Sequence, residues 1–219
     1  PPTSNANYAW ILNIVSKMSE NGVAGFLLAN GALSGGGEEY KIRKQLIEND
    51  LVEAIVILPP NMFYTTDISV TLWILNKNKK YRTVEQNGVI KKYRNRENET
   101  LFIDLRTFGI PLDKKYIQFS DEEINNICKT YHSWQQADKE VYKNIPEYCY
   151  SAKLKEIQQK DYSLVPSKYI EFSNHDENID FDDKMNALKE DFIQLLKDEE
   201  TSKDELLNVF KELGYEIKL

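Results

Sequence analysis

Residues 51–79 read LVEAIVILPPNMFYTTDISVTLWILNKNK, and the way this stretch divides decides the fold. Two apolar runs, Leu51–Leu58 and Ile68–Asn76, have strand length and are rich in β-branched residues. The PPNMFYTTD segment between them is too short for a crossover helix, so the two strands are expected to pair antiparallel, at an edge of the sheet. Upstream, Tyr8, Ile11, Leu12, Val15 and Met18 recur at helical spacing until Asn21-Gly22 stops the helix. Val23–Ala29 (VAGFLLA) then reads as a strand buried on both faces, as in a parallel sheet. A glycine-rich loop leads to a second helix around Tyr40–Glu48. Helix, strand, helix, strand is an α/β pattern.

Downstream, the stretch from Lys77 to Arg96 holds eight basic residues against one acid, Glu85, with Tyr81 and Tyr93 interleaved. Asn87-Gly88 between two short runs is a type I′ hairpin signal. Lys77, Lys79, Lys80, Arg82, Lys91, Lys92 and Arg94 are candidate contacts to a DNA backbone. An edge hairpin can equally be lysine-rich merely to prevent aggregation. Thr100–Arg106 reads as a further strand, and Ser120 with Glu123 forms a capping box opening a helix to about Trp134. Another helix is expected from Ser151, and DYSLVPSKYI (161–170) is expected to be extended because of Pro166.

At the end of the chain Phe181, Met185, Leu188, Phe192 and Leu195 form a narrow heptad seam. Thr201-Ser202 is expected to end that helix, with Ser202 and Glu205 capping a second one through Leu206, Phe210 and Leu213 to Gly214. The tail therefore reads as an acidic helical hairpin whose seam must bury against the body or a partner. Three regions follow: 1–115, with a basic insertion at about 77–96; a connecting region, 116–170; and the tail, 171–219.

The charge is divided in the same way. From Glu171 onward there are 15 acidic and 6 basic residues, against 20 and 22 before it. An acidic tail does not lie on phosphates, whereas the near-neutral body is free to do so. Two cysteines, Cys128 and Cys149, make neither a disulfide framework nor a zinc site and fit a reducing cytosol. No apolar run has the length of a membrane span, so no membrane partner is expected.

Few stretches can carry chemistry. Pro1-Pro2 is followed by Thr3, Ser4 and Asn5, without the aromatic residue of an Asn-Pro-Pro-aromatic amine-methylating tetrapeptide. Ser34–Glu39 (SGGGEE) lies where α/β sheets bind anions, but it lacks the dinucleotide and phosphate-loop patterns and carries its own acids. Phe63 and Tyr64 lie side by side in the loop between the two strands, where they either stack on a nucleobase or fold back onto the sheet. His132 and His175 have no nucleophile or metal partner pattern. Asp104 either serves catalysis or satisfies a turn, the commoner role.

PPTSNANYAWILNIVSKMSENGVAGFLLANGALS, EEYKIRKQLIENDLVEAIVILPPNMFYTTDISVTLWILNKNK, TLFIDLRTFG, TYHSW and DYSLVPSKYI, in this order, resemble successive blocks of the modification subunit of type I restriction-modification systems. That subunit is an S-adenosylmethionine-dependent adenine-N6 DNA methyltransferase. The resemblance covers about residues 1–170. It implies the C-terminal part of a Rossmann-like methyltransferase sheet with an antiparallel edge pair and a helical tail. It places the cofactor loop and the catalytic Asn-Pro-Pro-Phe in preceding sequence. No catalytic, cofactor-binding or metal residue is then expected in this chain, and the fragment alone is expected to be inactive and not to bind S-adenosylmethionine. Phe63, with Tyr64 beside it, matches the position that stacks on the flipped adenine. Phe181, Met185, Leu188, Phe192 and Leu195 become the candidate subunit interface. The implied partners are duplex DNA, the specificity and restriction subunits and the N-terminal half, in a bacterial or archaeal cytoplasm. The alternative is a non-catalytic DNA-binding or scaffolding module of a larger nucleic-acid-processing complex.

Overall fold

The computed structural model describes residues 3, 5–86, 88–137, 142–172 and 180–215. Pro1, Pro2, Asn87 and His175, each singled out in the sequence, lie outside the described residues. The chain divides into two compact units, Pro1–Ser173 and Asn174–Leu219. In the first, α1 (Asn7–Lys17), β1 (Val23–Ala29), α2 (Gly37–Glu48), β2 (Val52–Ile57) and β3 (Val70–Asn76) are followed by the short hairpin β4 (Arg82–Gln86) and β5 (Val89–Tyr93). β6 (Glu99–Asp104), the two-residue strands β7 (Ile110–Pro111) and β8 (Ile117–Gln118), α3 (Asp121–Gln135), β9 (Cys149–Lys153) and α4 (Leu154–Gln159) complete it.

Five strands form a mixed sheet in the order β1-β3-β2-β6-β9. β2 and β3 pair antiparallel, as their short connection requires. They do not form an edge, because β1 pairs antiparallel with β3 and β6 pairs parallel with β2. The expectation for Val23–Ala29 is corrected too. β1 alternates exposed and half-buried residues, with Phe26 stacked on Trp73 while Val23 and Leu27 remain exposed. An unbroken apolar run states that both faces can be buried, not that both are. β1, β2 and β6 consequently point the same way, and their carboxyl ends share one end of the sheet.

The two faces have different cores. On one, Tyr8 and Ile11 of α1, Leu46 and Ile47 of α2 and the segment Ile157–Ile170 pack on Ile55, Trp73 and Phe102. On the other, Trp134 of α3 packs with Ala54, Val56, Leu101 and Ile103. α3 begins as the capping box foretells: Ser120 accepts from the Glu123 N–H, and Glu123 accepts from the Ser120 N–H.

A β-bulge between Val52 and Ala54 breaks the alternation of β2. It directs the fully buried Glu53 toward Arg96 and Gln135, on the α3 side. Two local readings also change. Ser151 lies inside β9, where its hydroxyl accepts from the Trp134 indole at 2.8 Å, so the helix starts only at Leu154. Pro166 opens a short 3-10 turn, Pro166–Lys168, rather than continuing an extended run; φ fixed by its ring suits the first position of such a turn.

The second unit contains α5 (Phe181–Glu212), a single helix of 32 residues. The expected break at Thr201-Ser202 is absent. The Thr201 hydroxyl donates to the Lys197 carbonyl one turn back at 2.9 Å, which leaves the helical ladder intact. The helix ends where glycine permits it. Gly214 has φ +85°, and the amides of Gly214 and Tyr215 reach back to Lys211 and Phe210.

Candidate functional site

Ligands of open α/β sheets gather at the carboxyl ends of parallel strands. Here that end is built by the loops after β1, β2 and β6. The loop after β2 is held closed by Leu58 N–H to Val70 O at 2.9 Å and Asn61 N–H to Asp67 O at 3.3 Å. Its tip is a turn in which the Thr66 amide reaches Phe63 O at 3.3 Å. Asn61, at φ +59°, takes the left-handed conformation that starts this tip; asparagine tolerates it better than most residues.

The structure separates the two aromatics of the tip. Phe63 is half-buried against the α3-side core. Tyr64 is 75% exposed and meets Tyr116 edge-on at 4.8 Å. The β7–β8 segment carrying Tyr116 is tied to the same loop by Ile117 N–H to Asn61 O at 3.0 Å and by Lys115 to Asp67 at 3.0 Å. Asp113 accepts from the amides of Tyr116 and Lys115, which hold its carboxyl below the usual aspartate range. Nothing in the local sequence marks Tyr116 as a neighbour of Tyr64; only the tertiary fold brings 64 and 116 together.

Asp104, at the carboxyl end of β6, accepts from the Arg106 amide at 3.1 Å and from its guanidinium at 2.6 Å. It satisfies the turn, the commoner of the two roles foreseen. The glycine run is packed by side chains of α2. The Glu39 side chain lies over Gly35, and Arg43 donates to Gly35 O at 2.7 Å and to Tyr162 O at 2.8 Å. Two carboxylates, Glu38 and Glu39, occupy the first turn of that helix, where they oppose an anion such as phosphate.

The basic residues divide into anchors and outward cations. Lys79 is buried, donates to Val52 O at 3.1 Å and Glu99 O at 2.6 Å, and pairs with Asp50 at 2.6 Å. Burial pushes Lys79 down and Asp50 up, each toward its neutral form, against their mutual attraction. Arg94 donates to Trp134 O at 2.6 Å and to Glu99 at 2.7 Å. These two cations help fasten the β4–β5 ribbon to the sheet: Lys79, a candidate DNA contact, is buried, whereas Arg94 keeps part of its side chain in solvent. A short run of identical charges hides this division, because the sequence does not say which lysines face inward. Lys77 donates to Met18 O at 2.7 Å, and Arg82 lies over Tyr93 at 5.2 Å. Lys80 and Lys92 are exposed, and Lys91 is half-buried opposite Val84.

Among the described residues there is no cluster of three or more potential metal ligands, and no helix is long and apolar enough to cross a membrane. On α5, Phe181, Met185, Leu188, Phe192 and Leu195 are all exposed along one stripe.

A mixed sheet with helices on both faces, its carboxyl end carrying the Phe63–Tyr64 loop, defines an α/β protein. The chain belongs to the N-6 DNA Methylase family, whose model matches residues 1–178. It is 36% identical over 222 residues to the type I restriction enzyme HindI methylase subunit of Haemophilus influenzae, covering 99% of this chain and 45% of that one. It is 33% identical over 215 residues to the MjaIX methylase subunit of Methanocaldococcus jannaschii, covering 98% and 36%. The fold resembles the crystal structure of the type I methyltransferase subunit from Streptococcus thermophilus, with TM-score 0.64, 27% identity, and coverage of 78% of this chain and 31% of that chain. The chain thus spans less than half the length of the curated relatives it matches.

Proposed function

We propose that this chain forms the C-terminal part of the modification subunit of a type I restriction-modification system, an adenine-N6 DNA methyltransferase using S-adenosylmethionine. Its sheet continues a Rossmann-like methyltransferase domain, and the cofactor loop and catalytic Asn-Pro-Pro-Phe are contributed by sequence outside it. Phe63 stacks on the adenine swung out of the duplex, and Tyr64, braced by Tyr116, shapes the rim. The observation that carries this reading is the Phe63 loop itself. It projects from the carboxyl end of β2, between two strands of a sheet like that of methyltransferase subunits. Lys80, Arg82, Lys91 and Lys92 approach the DNA backbone, while α5 docks the subunit on its specificity partner, with the restriction subunit joining the assembly.

The test is reconstitution. The chain is joined to the N-terminal portion of such a subunit and assayed for labelled methyl transfer to adenine, with the specificity subunit present. Calorimetric titration of the chain alone should show no S-adenosylmethionine binding. Saturable binding by the chain alone would place the cofactor site here and require the reading to be rebuilt. The exposed lysines of the ribbon favour a second reading, a non-catalytic DNA-binding module; DNA binding without any methyl transfer in the joined protein would select it.

A further inference from the structure

α5 carries more information than an apolar stripe. With Met185 at the first core position of a heptad, the core positions continue through Leu188, Phe192 and Leu195, then through Glu199 and Ser202, and end with Leu206, Val209 and Leu213. The apolar members are each 49–67% exposed. One heptad in the middle of the seam is therefore polar, yet the helix runs through it without a break. The flanks differ as well. One edge carries Asp191, Asp198, Glu205 and Glu212 at successive heptads, and the other carries Lys189, Leu196, Lys203 and Phe210.

These positions disfavour a second copy. In a parallel pair, Glu199 meets Glu199 inside the seam, where a charge has lost its water and gains a repulsion. In an antiparallel pair the same edges face each other, and acid meets acid at every heptad from 191 to 212. Like charges at such flanks select against pairing. The helix is apolar enough to dock and charged so as not to dock on itself.

We infer that α5 pairs with a helix of a different chain, one that lays a basic flank along the Asp191–Glu212 edge and sets a cation opposite Glu199. The inference rests on the reading of α5 as a docking helix and adds the chemistry of its partner. Glu199 then fixes the register: sliding the partner by one heptad would bury it against an apolar side chain, the role that single polar core residues play in coiled coils.

The test uses the full chain and two designed helical peptides as long as α5, both with leucine in the seam. One has lysine on both flanks and a lysine opposite Glu199; the other has glutamate on the flanks and leucine at that level. Fluorescence anisotropy should show the basic peptide binding at least about tenfold more tightly, an advantage that shrinks as salt screens the flanks. The triple variant Asp191→Lys, Asp198→Lys, Glu205→Lys should reverse the preference, and because these residues are exposed the fold provides no competing explanation. Equal binding of both peptides would leave a docking helix but overturn the charge code. Binding of neither would overturn the docking reading itself. Wild-type chain that self-associates, and is dispersed by Leu195→Asp, would make the occupant a second copy and overturn the inference.

Discussion

The carboxylate of Glu53 and the guanidinium of Arg96 sit 3.1 Å apart, and neither side chain has any contact with solvent. The bulge in β2 makes this possible, and Gln135 donates to the same carboxylate oxygen at 3.0 Å. The side-chain amide of Asn76, at the end of β3, donates to the other carboxylate oxygen. A buried ion pair is worth little against an apolar replacement, but removing one partner strands the other. Glu53→Ala is therefore expected to cost about 3–5 kcal/mol, and Arg96→Met a similar amount, in urea unfolding. Removing both should cost less than the sum. Strict additivity in the double-mutant cycle would show that the two groups do not act as a pair.

Glu99 gives the acid limb of the stability profile. Burial alone would raise its carboxyl, but hydrogen bonds from Arg94 and Lys153 outweigh that and hold it below the ordinary glutamate value of 4.5. A depressed folded value means that its contribution is complete above that ordinary value. It is lost as the pH falls through the lower folded one. Glu99→Gln should lower stability at neutral pH and flatten the decline below about pH 4.5. An unchanged acid slope would remove Glu99 from the account.

In the reconstituted methyltransferase, Phe63→Ala is expected to reduce methylation of a duplex target by the value of one base stack, roughly 1–3 kcal/mol. Phe63→Tyr should retain most activity, since the ring persists. Tyr64→Ala should act less strongly, through loss of the Tyr116 contact. Full turnover by Phe63→Ala would take the residue out of the base site.

The ribbon separates two kinds of lysine. Lys91→Glu with Lys92→Glu should weaken DNA binding at low salt and lower the salt slope by about two if both approach phosphates. Lys79→Met should instead change unfolding free energy and leave the salt slope alone. A steeper dependence on Lys79 than on Lys91 and Lys92 in DNA titrations would reverse the assignment.

Short-range features were legible in the sequence because their causes are local. The brevity of the 59–67 connection dictates antiparallel β2 and β3, and Ser120 with Glu123 announces α3 three residues apart. What depends on distant partners was not legible. β3 enters between β1 and β2, so strands adjacent in sequence are separated in the sheet. Lys79 and Arg94 look like their neighbours until Asp50, Glu99 and the Trp134 carbonyl are seen beside them. The run Thr201-Ser202 has the composition of a cap, but a hydroxyl able to bond its own preceding turn serves a continuous helix equally well. At the candidate site, the aromatic pair Phe63-Tyr64 was visible, whereas the bracing by Tyr116 and the closure by Asn61 required the fold.

The sheet order also has a consequence for how the chain is made. Among the described strands, β1 pairs only with β3, and β2 pairs only with β3 and β6. Until residues 70–76 have left the ribosome, both earlier strands are synthesised without either of these partners. β3 supplies the pairing partner on both sides, with Trp73 opposite Phe26 on one neighbour and Ile55 on the other. Nascent chains arrested before this strand should bind chaperones, and those arrested beyond it should begin to resist proteases, because one heptapeptide supplies the partner for two seams.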